Sequence, residues 1–135
     1  MSISLIRIAL ETHLNTISPA IQYAYENVPF TPTTGVPYAL VYLLPATPAN
    51  PTMGDGYYRE QGIFQVTLMF PLQAGPKTAA DRAEKIREAF KRGTTLTSGS
   101  IQVIIDRTPE ISQGRVDGDR WSVPCKIRWF SSVFA

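Results

Sequence analysis

Trp121-Ser122-Val123-Pro124-Cys125-Lys126-Ile127-Arg128-Trp129 alternates apolar and polar side chains along most of its length. A period of two marks a β-strand with one face on a core. It predicts Trp121, Val123, Cys125, Ile127 and Trp129 inside, with Ser122, Pro124, Lys126 and Arg128 toward solvent or a partner. Pro124 has no N–H to give to a ladder, which predicts an edge strand or a bulge. A second run, Phe64, Val66, Leu68 and Phe70 with Gln65 and Thr67 between them, predicts another strand within residues 57–70.

Outward from these two runs the remaining elements are shorter. Residues 37–44, Pro-Tyr-Ala-Leu-Val-Tyr-Leu-Leu, have the length and aromatic content of a buried strand. Ile21, Tyr23 and Tyr25 alternate within residues 20–25, and Ile101–Ile105 is a further short strand. Residues 106–120 read as turns, with Asp117-Gly118 as a hairpin turn. Two stretches have helical spacing instead. In residues 3–17 one stripe holds Ile6, Leu10, Ile17 and either His13 or Leu14, with Ser2 or Ser4 as cap and Pro19 as stop. The second helix follows Thr78, which with Asp81 resembles a capping box; it turns Ala79, Ala83, Ile86 and Phe90 inward and stops at Gly93. The order α-β-β-β-α-β-β lacks regular βαβ alternation. It predicts an α+β fold, a mainly antiparallel sheet with two helices packed on one face. The Pro- and Gly-rich stretch from Pro45 to Gly56 is expected to be a long, mobile loop.

A chain of 135 residues is expected to form a single domain over 1–135. An apolar fraction of 44% with 18% charged residues argues against disorder. Thirteen basic against eleven acidic residues leave a net charge of +2, too balanced for a strong nucleic-acid footprint. The single cysteine, Cys125, excludes an internal disulfide and fits a reducing compartment. Arg7 and Glu11 interrupt any signal-peptide core. No apolar run approaches the roughly 20 residues of a membrane span, so no membrane partner is expected.

Catalytic constellations are hard to find. His13 is the only histidine and no nucleophile motif accompanies it. Cys125 falls among core positions, which predicts an inert thiol. Asp117-Gly118-Asp119 lacks the remaining acids of a calcium loop, and Gly54-Asp55-Gly56 is too short for a nucleotide fingerprint. No enzyme, metal or cofactor is expected. Arg107, Arg115, Arg120, Lys126 and Arg128 gather toward the C-terminus. They read as a solvated sheet face or as a contact patch for an acidic protein or DNA.

Four segments taken in order carry a resemblance: Glu26–Pro32, then Arg59–Val66 with Pro71–Gly75, then the helix Ala79–Phe90 ending at Gly93, and Asp119–Pro124 with the closing strand. Together they resemble a phage-related domain family of tailed bacteriophages and prophages, similar to phage tail terminator proteins. The resemblance implies a structural virion protein of the tail. It would form a hexameric ring at the head-proximal end of the tail tube and contact the tail tube protein and the head-tail connector protein. The host cytoplasm would be its location during assembly. Alternatives are another neck, head-closure or minor tail ring component, or a small nucleic-acid-binding module. The apolar residues are mostly absorbed by core faces, so the free protein is expected to self-associate weakly or stay monomeric. The subunit interface is expected at Arg59 and Glu60, in the 45–60 segment, and at Lys126 and Arg128, with no specific nucleic acid involved.

Overall fold

The computed structural model describes residues 2–17, 21–33, 35–51, 54, 56–72 and 76–134. Its elements are α1 (Ser2–Leu14), β1 (Gln22–Tyr25), β2 (Tyr38–Pro45), β3 (Tyr57–Pro71), α2 (Pro76–Ala89), β4 (Thr95–Ser98), β5 (Ile101–Ile105), β6 (Glu110–Ile111), β7 (Arg115–Asp117) and β8 (Arg120–Phe134). The fold is α+β. One sheet runs in the order β1-β2-β3-β8-β5-β4, with β6 and β7 also on β8. All pairings are antiparallel except β1 with β2.

The two runs with period two are the centre of this sheet. β3 and β8 pair from Tyr57↔Phe134 to Pro71↔Arg120. Phe64, Val66, Leu68, Val123, Cys125, Ile127 and Trp129 all face one buried cluster. Trp121 departs from expectation and is only half-buried at the cluster's border. Gly62 lets strands and ring close up. A Cβ there would lie 2.5 Å from the Leu44 carbonyl oxygen and 3.0 Å from Trp129 Cζ2.

Pro124 lies in a central strand, which corrects the edge-strand alternative. Its carbonyl accepts from Ser112 N–H at 2.9 Å, so its nitrogen also faces the side of β6 and β7. Those two strands pair with Lys126–Cys125 and with Ser122–Arg120, leaving Pro124 opposite the break between them. The missing donor therefore costs no ladder bond. Asp117 pairs with Arg120, so the hairpin turn is Gly118-Asp119, with Gly118 at φ 61°.

Both helices lie on the inner face, where Ile6, Leu10, Leu14, Ala79, Ala83, Ile86 and Phe90 join the core. α1 is shorter than expected. Ile17 is buried beyond its end, and Pro19 lies outside the described residues. α2 begins at Pro76, a residue suited to a first turn, so Thr78 sits inside the helix rather than capping it. It ends at Ala89, and Gly93 follows in a separate turn at φ 90°. His13 links the helices: its Nε2 donates to the Ala89 carbonyl at 2.7 Å, and its ring meets Phe90 edge-on. The sheet curls enough for α1 to reach both edges. Asn15 Nδ2 donates to the Tyr25 hydroxyl of β1 at 2.7 Å, and α1 also packs on β4.

Candidate functional site

The other sheet face carries no helix. At one end the segment between β1 and β2 crosses it. There Phe30 stacks on Tyr38, with ring centroids 5.1 Å apart. Arg120 fixes the crossover from beneath. Its guanidinium donates to the carbonyls of Val36 at 2.5 Å and Thr33 at 2.7 Å, and lies over the Tyr38 ring. Arg120 is 4% exposed, so it is no part of a surface basic cluster; this corrects the expectation drawn from its position in sequence. The crossover explains why Thr67, Met69 and Ser122, on the helix-free side, are buried at this end.

The opposite end of the face is open. Strand register sets its rows. Tyr42, Gln65, Lys126 and Glu110 lie side by side across β2, β3, β8 and β6. Leu44, Ile63 and Arg128 form the next row, continued by Asp106, whose N–H donates to the Arg128 carbonyl at 3.0 Å. Gln61, Phe130 and Ile104 follow, then Arg59 beside Ser132. Leu44 is 46% exposed and Arg128 is exposed, while Lys126 is half-buried among its neighbours. Among the described residues Arg59, Lys126 and Arg128 form no ion pair.

The anticipated interface residues are therefore divided. Arg59, Lys126 and Arg128 share one face rather than two separate patches. Arg59 is held rigidly: its backbone pairs with Ala49 through two 2.9 Å bonds, and its guanidinium stacks 3.8 Å over Phe130. Glu60 points to the inner side opposite Ser131 and is 8% exposed, not near solvent as its neighbourhood suggested. The 45–56 segment is partly tied down by the Ala49–Arg59 bridge, with residues 52, 53 and 55 outside the described ones. Tyr42, Leu44, Ile63 and Phe130 belong to the face but were not anticipated. Phe130 was readable, because it continues the even-numbered series 122–128.

The reactive groups lie elsewhere. Burial pushes the Cys125 thiol up to about 12, against a small opposing effect of the Arg87 charge. His13 is committed to the helix–helix contact. No group of three or more His, Cys, Asp or Glu among the described residues could hold a metal. No helix among them is long and apolar enough to cross a membrane.

The open end of the helix-free face thus presents the exposed Leu44 and Arg128 beside the half-buried Tyr42, Ile63, Lys126 and Phe130. The chain belongs to the phage tail terminator protein family, whose model matches residues 5–129. That family is structural. One solved chain, whose name carries no functional description, is 27% identical with a TM-score of 0.80, covering 100% of this chain and 98% of that one. A chain from the virion of a native gene transfer agent particle has the same fold, with a TM-score of 0.71 at 16% identity and 98% coverage of both chains. No curated protein matches the sequence.

Proposed function

We propose that this chain terminates the tail of a long-tailed phage or phage-derived particle. It closes a hexameric ring on the head-proximal end of the tail tube, stops tube growth and presents a surface to the head-tail connector. It acts through contacts and not as an enzyme, and it assembles in the host cytoplasm before residing in the virion. The family match over residues 5–129 is the observation that carries this reading. A virion chain with the same fold is consistent with it.

In this reading Arg59, Lys126 and Arg128 supply the side-chain part of the contact between ring subunits, and Glu60 supports β3 from the inner side. Exposed large apolar residues are few and scattered, from Ile8 and Val28 to Val116 and Phe134. Such a surface favours weak association of free subunits, with the ring closing on the template of a finished tube. Rim charge pairs contribute only about 0.2–1 kcal/mol each, which fits closure that depends on a template. Complementation tests the reading. A phage carrying Lys126→Glu with Arg128→Glu should make folded subunits and overlong, headless tubes. Normal tail lengths and normal infectivity would remove this face from the mechanism.

A further inference from the structure

Pro45-Ala46-Thr47-Pro48-Ala49-Asn50-Pro51 places a proline at every third position. That is the period of a polyproline II helix, whose backbone makes no hydrogen bonds to itself. Each proline fixes its own φ at about −65°, and the residues before them, Leu44, Thr47 and Asn50, are held to the extended region. The segment is therefore stiff by its own chemistry. It is also displayed, with Pro45, Pro48 and Pro51 all exposed. Ala46 N–H donates to the Gln61 carbonyl at 2.8 Å, Pro48 has no N–H to offer, and Ala49 takes the next pair of bonds, with Arg59. Two alanines thus fasten the segment to β3 while the prolines stay in solvent.

A groove suited to such a segment lies where β1, β2 and the crossover meet. It encloses ≈ 430 Å³ and is lined by Ala24 and Leu40, which pair across β1 and β2, and by Val28, Phe30, Tyr38 and Tyr42. Val28 is 57% exposed at its lip. Aromatic-lined grooves are the surfaces that bind polyproline II segments: rings pack on the prolines, and side-chain donors meet the free backbone carbonyls. Two donors stand here, the Asn27 amide and the Tyr42 hydroxyl, and neither has a hydrogen-bond partner among the described residues. We propose that Pro45–Pro51 of one ring subunit docks in this groove of the next. The proposal rests on the ring reading above and adds an apolar part to its subunit contact. A subunit cannot fill its own groove, because β2 runs from Tyr42 to Pro45 and the bonds to Gln61 and Arg59 carry the chain onward along β3. The occupant is thus a second copy, and segment and groove are two different patches, as a ring contact requires. The groove is continuous with the cationic face assigned to that contact, since Tyr42 also stands in the row of Gln65 and Lys126. A stiff segment loses little freedom on docking, while its small size keeps free subunits weakly associated.

The test uses assembled particles. A phage carrying both Val28→Cys and Asn50→Cys is grown, and purified particles are treated with a short bis-maleimide. Both positions are exposed, and Cys125, 1% exposed, does not compete. The expected result is a ladder of cross-linked subunits up to a closed ring, absent with either single substitution. Two further variants complement it. Leu40→Glu puts a charge in the groove, and Pro48→Ala with Pro51→Ala removes two rings from the segment. Each should melt cooperatively as a folded subunit but lose tail termination. Monomers alone, from cysteine-bearing particles that hold the protein in visible rings, would overturn the docking and leave the ring reading standing. Normal termination by either folded variant overturns the docking alone. Absence of the protein from wild-type particles overturns both readings.

Discussion

Arg120→Met should loosen the crossover between β1 and β2 at a predictable cost. Arg120 holds two close carbonyls, of Val36 and Thr33, and a marginal third, of Met69, at 3.5 Å. Hydrogen bonds from a charged donor contribute about 1.5–3 kcal/mol each. The low end applies, because Thr33 and Val36 are exposed residues whose carbonyls can turn to water. Two bonds then amount to about 3 kcal/mol. Methionine refills most of the volume and relieves the desolvation of a buried charge, which returns part of the loss. The net expectation is a destabilisation of about 2 kcal/mol. In urea, with a slope of about 2 kcal/mol/M, the midpoint should fall by about 1 M at unchanged slope. Arg120→Lys keeps the charge but not the two-armed fork and should fall between the two. Hydrogen exchange gives a local check, since the amides of Gly35 and Val36 should exchange faster in folded Arg120→Met. An unchanged midpoint with unchanged exchange would refute the claim that this side chain pins the crossover.

Trp129→Ala should cost about 3–5 kcal/mol, measured by denaturant titration. Trp129 is 1% exposed and its Nε1 has no hydrogen-bond partner, so Trp129→Phe should cost clearly less. Gly62→Ala forces a methyl against the Leu44 carbonyl and should cost about 1–3 kcal/mol, seen as a lower melting temperature. Cys125 titrates higher when folded, about 12, than its ordinary 9.0. The native state therefore holds the proton more tightly: the contribution is complete below pH 9.0 and declines as pH rises toward about 12. Cys125→Val should flatten that alkaline loss, and a thiol reagent should label the wild type only once it unfolds.

The sheet's centre was legible because β3 and β8 are long and bury one face each, so their period of two survives in the residues themselves. The helices were legible for the same reason at a different period. β4 was not: Thr95-Leu96-Thr97-Ser98 has one apolar residue and takes its strand form from β5. β6 and β7 are likewise held by β8 rather than by a pattern of their own. The parallel placement of β1 follows from a crossover whose anchor, Arg120, lies 84 and 87 residues from the carbonyls it binds. No local signal reports such a contact. For the site, alternation carried a warning that the charge pattern obscured. Glu60 shares parity with Phe64 and so belongs to the inner face, while Arg59 shares parity with Gln65 and joins the cationic face.

The pairing of β3 with β8 also governs how a subunit comes into being. β8 bonds to β3, β5, β6 and β7, so four strands depend on the last one made. At about 5–20 residues per second, the ribosome takes roughly 3–12 s after starting β3 to reach its partner. Through that interval the run Val66–Phe70 has β2 beside it on one edge but lacks β8 on the other, and such half-paired segments are the ones that aggregate or call on chaperones. Nucleation must wait for a contact between residues about sixty positions apart, which makes for slow folding. A copy cut short within β8 lacks the strand that joins β1-β2-β3 to β5-β4 and carries β6 and β7. An incomplete translation product is thus left as separate sheet fragments, with the inner faces of β3 and β5 no longer held on one core.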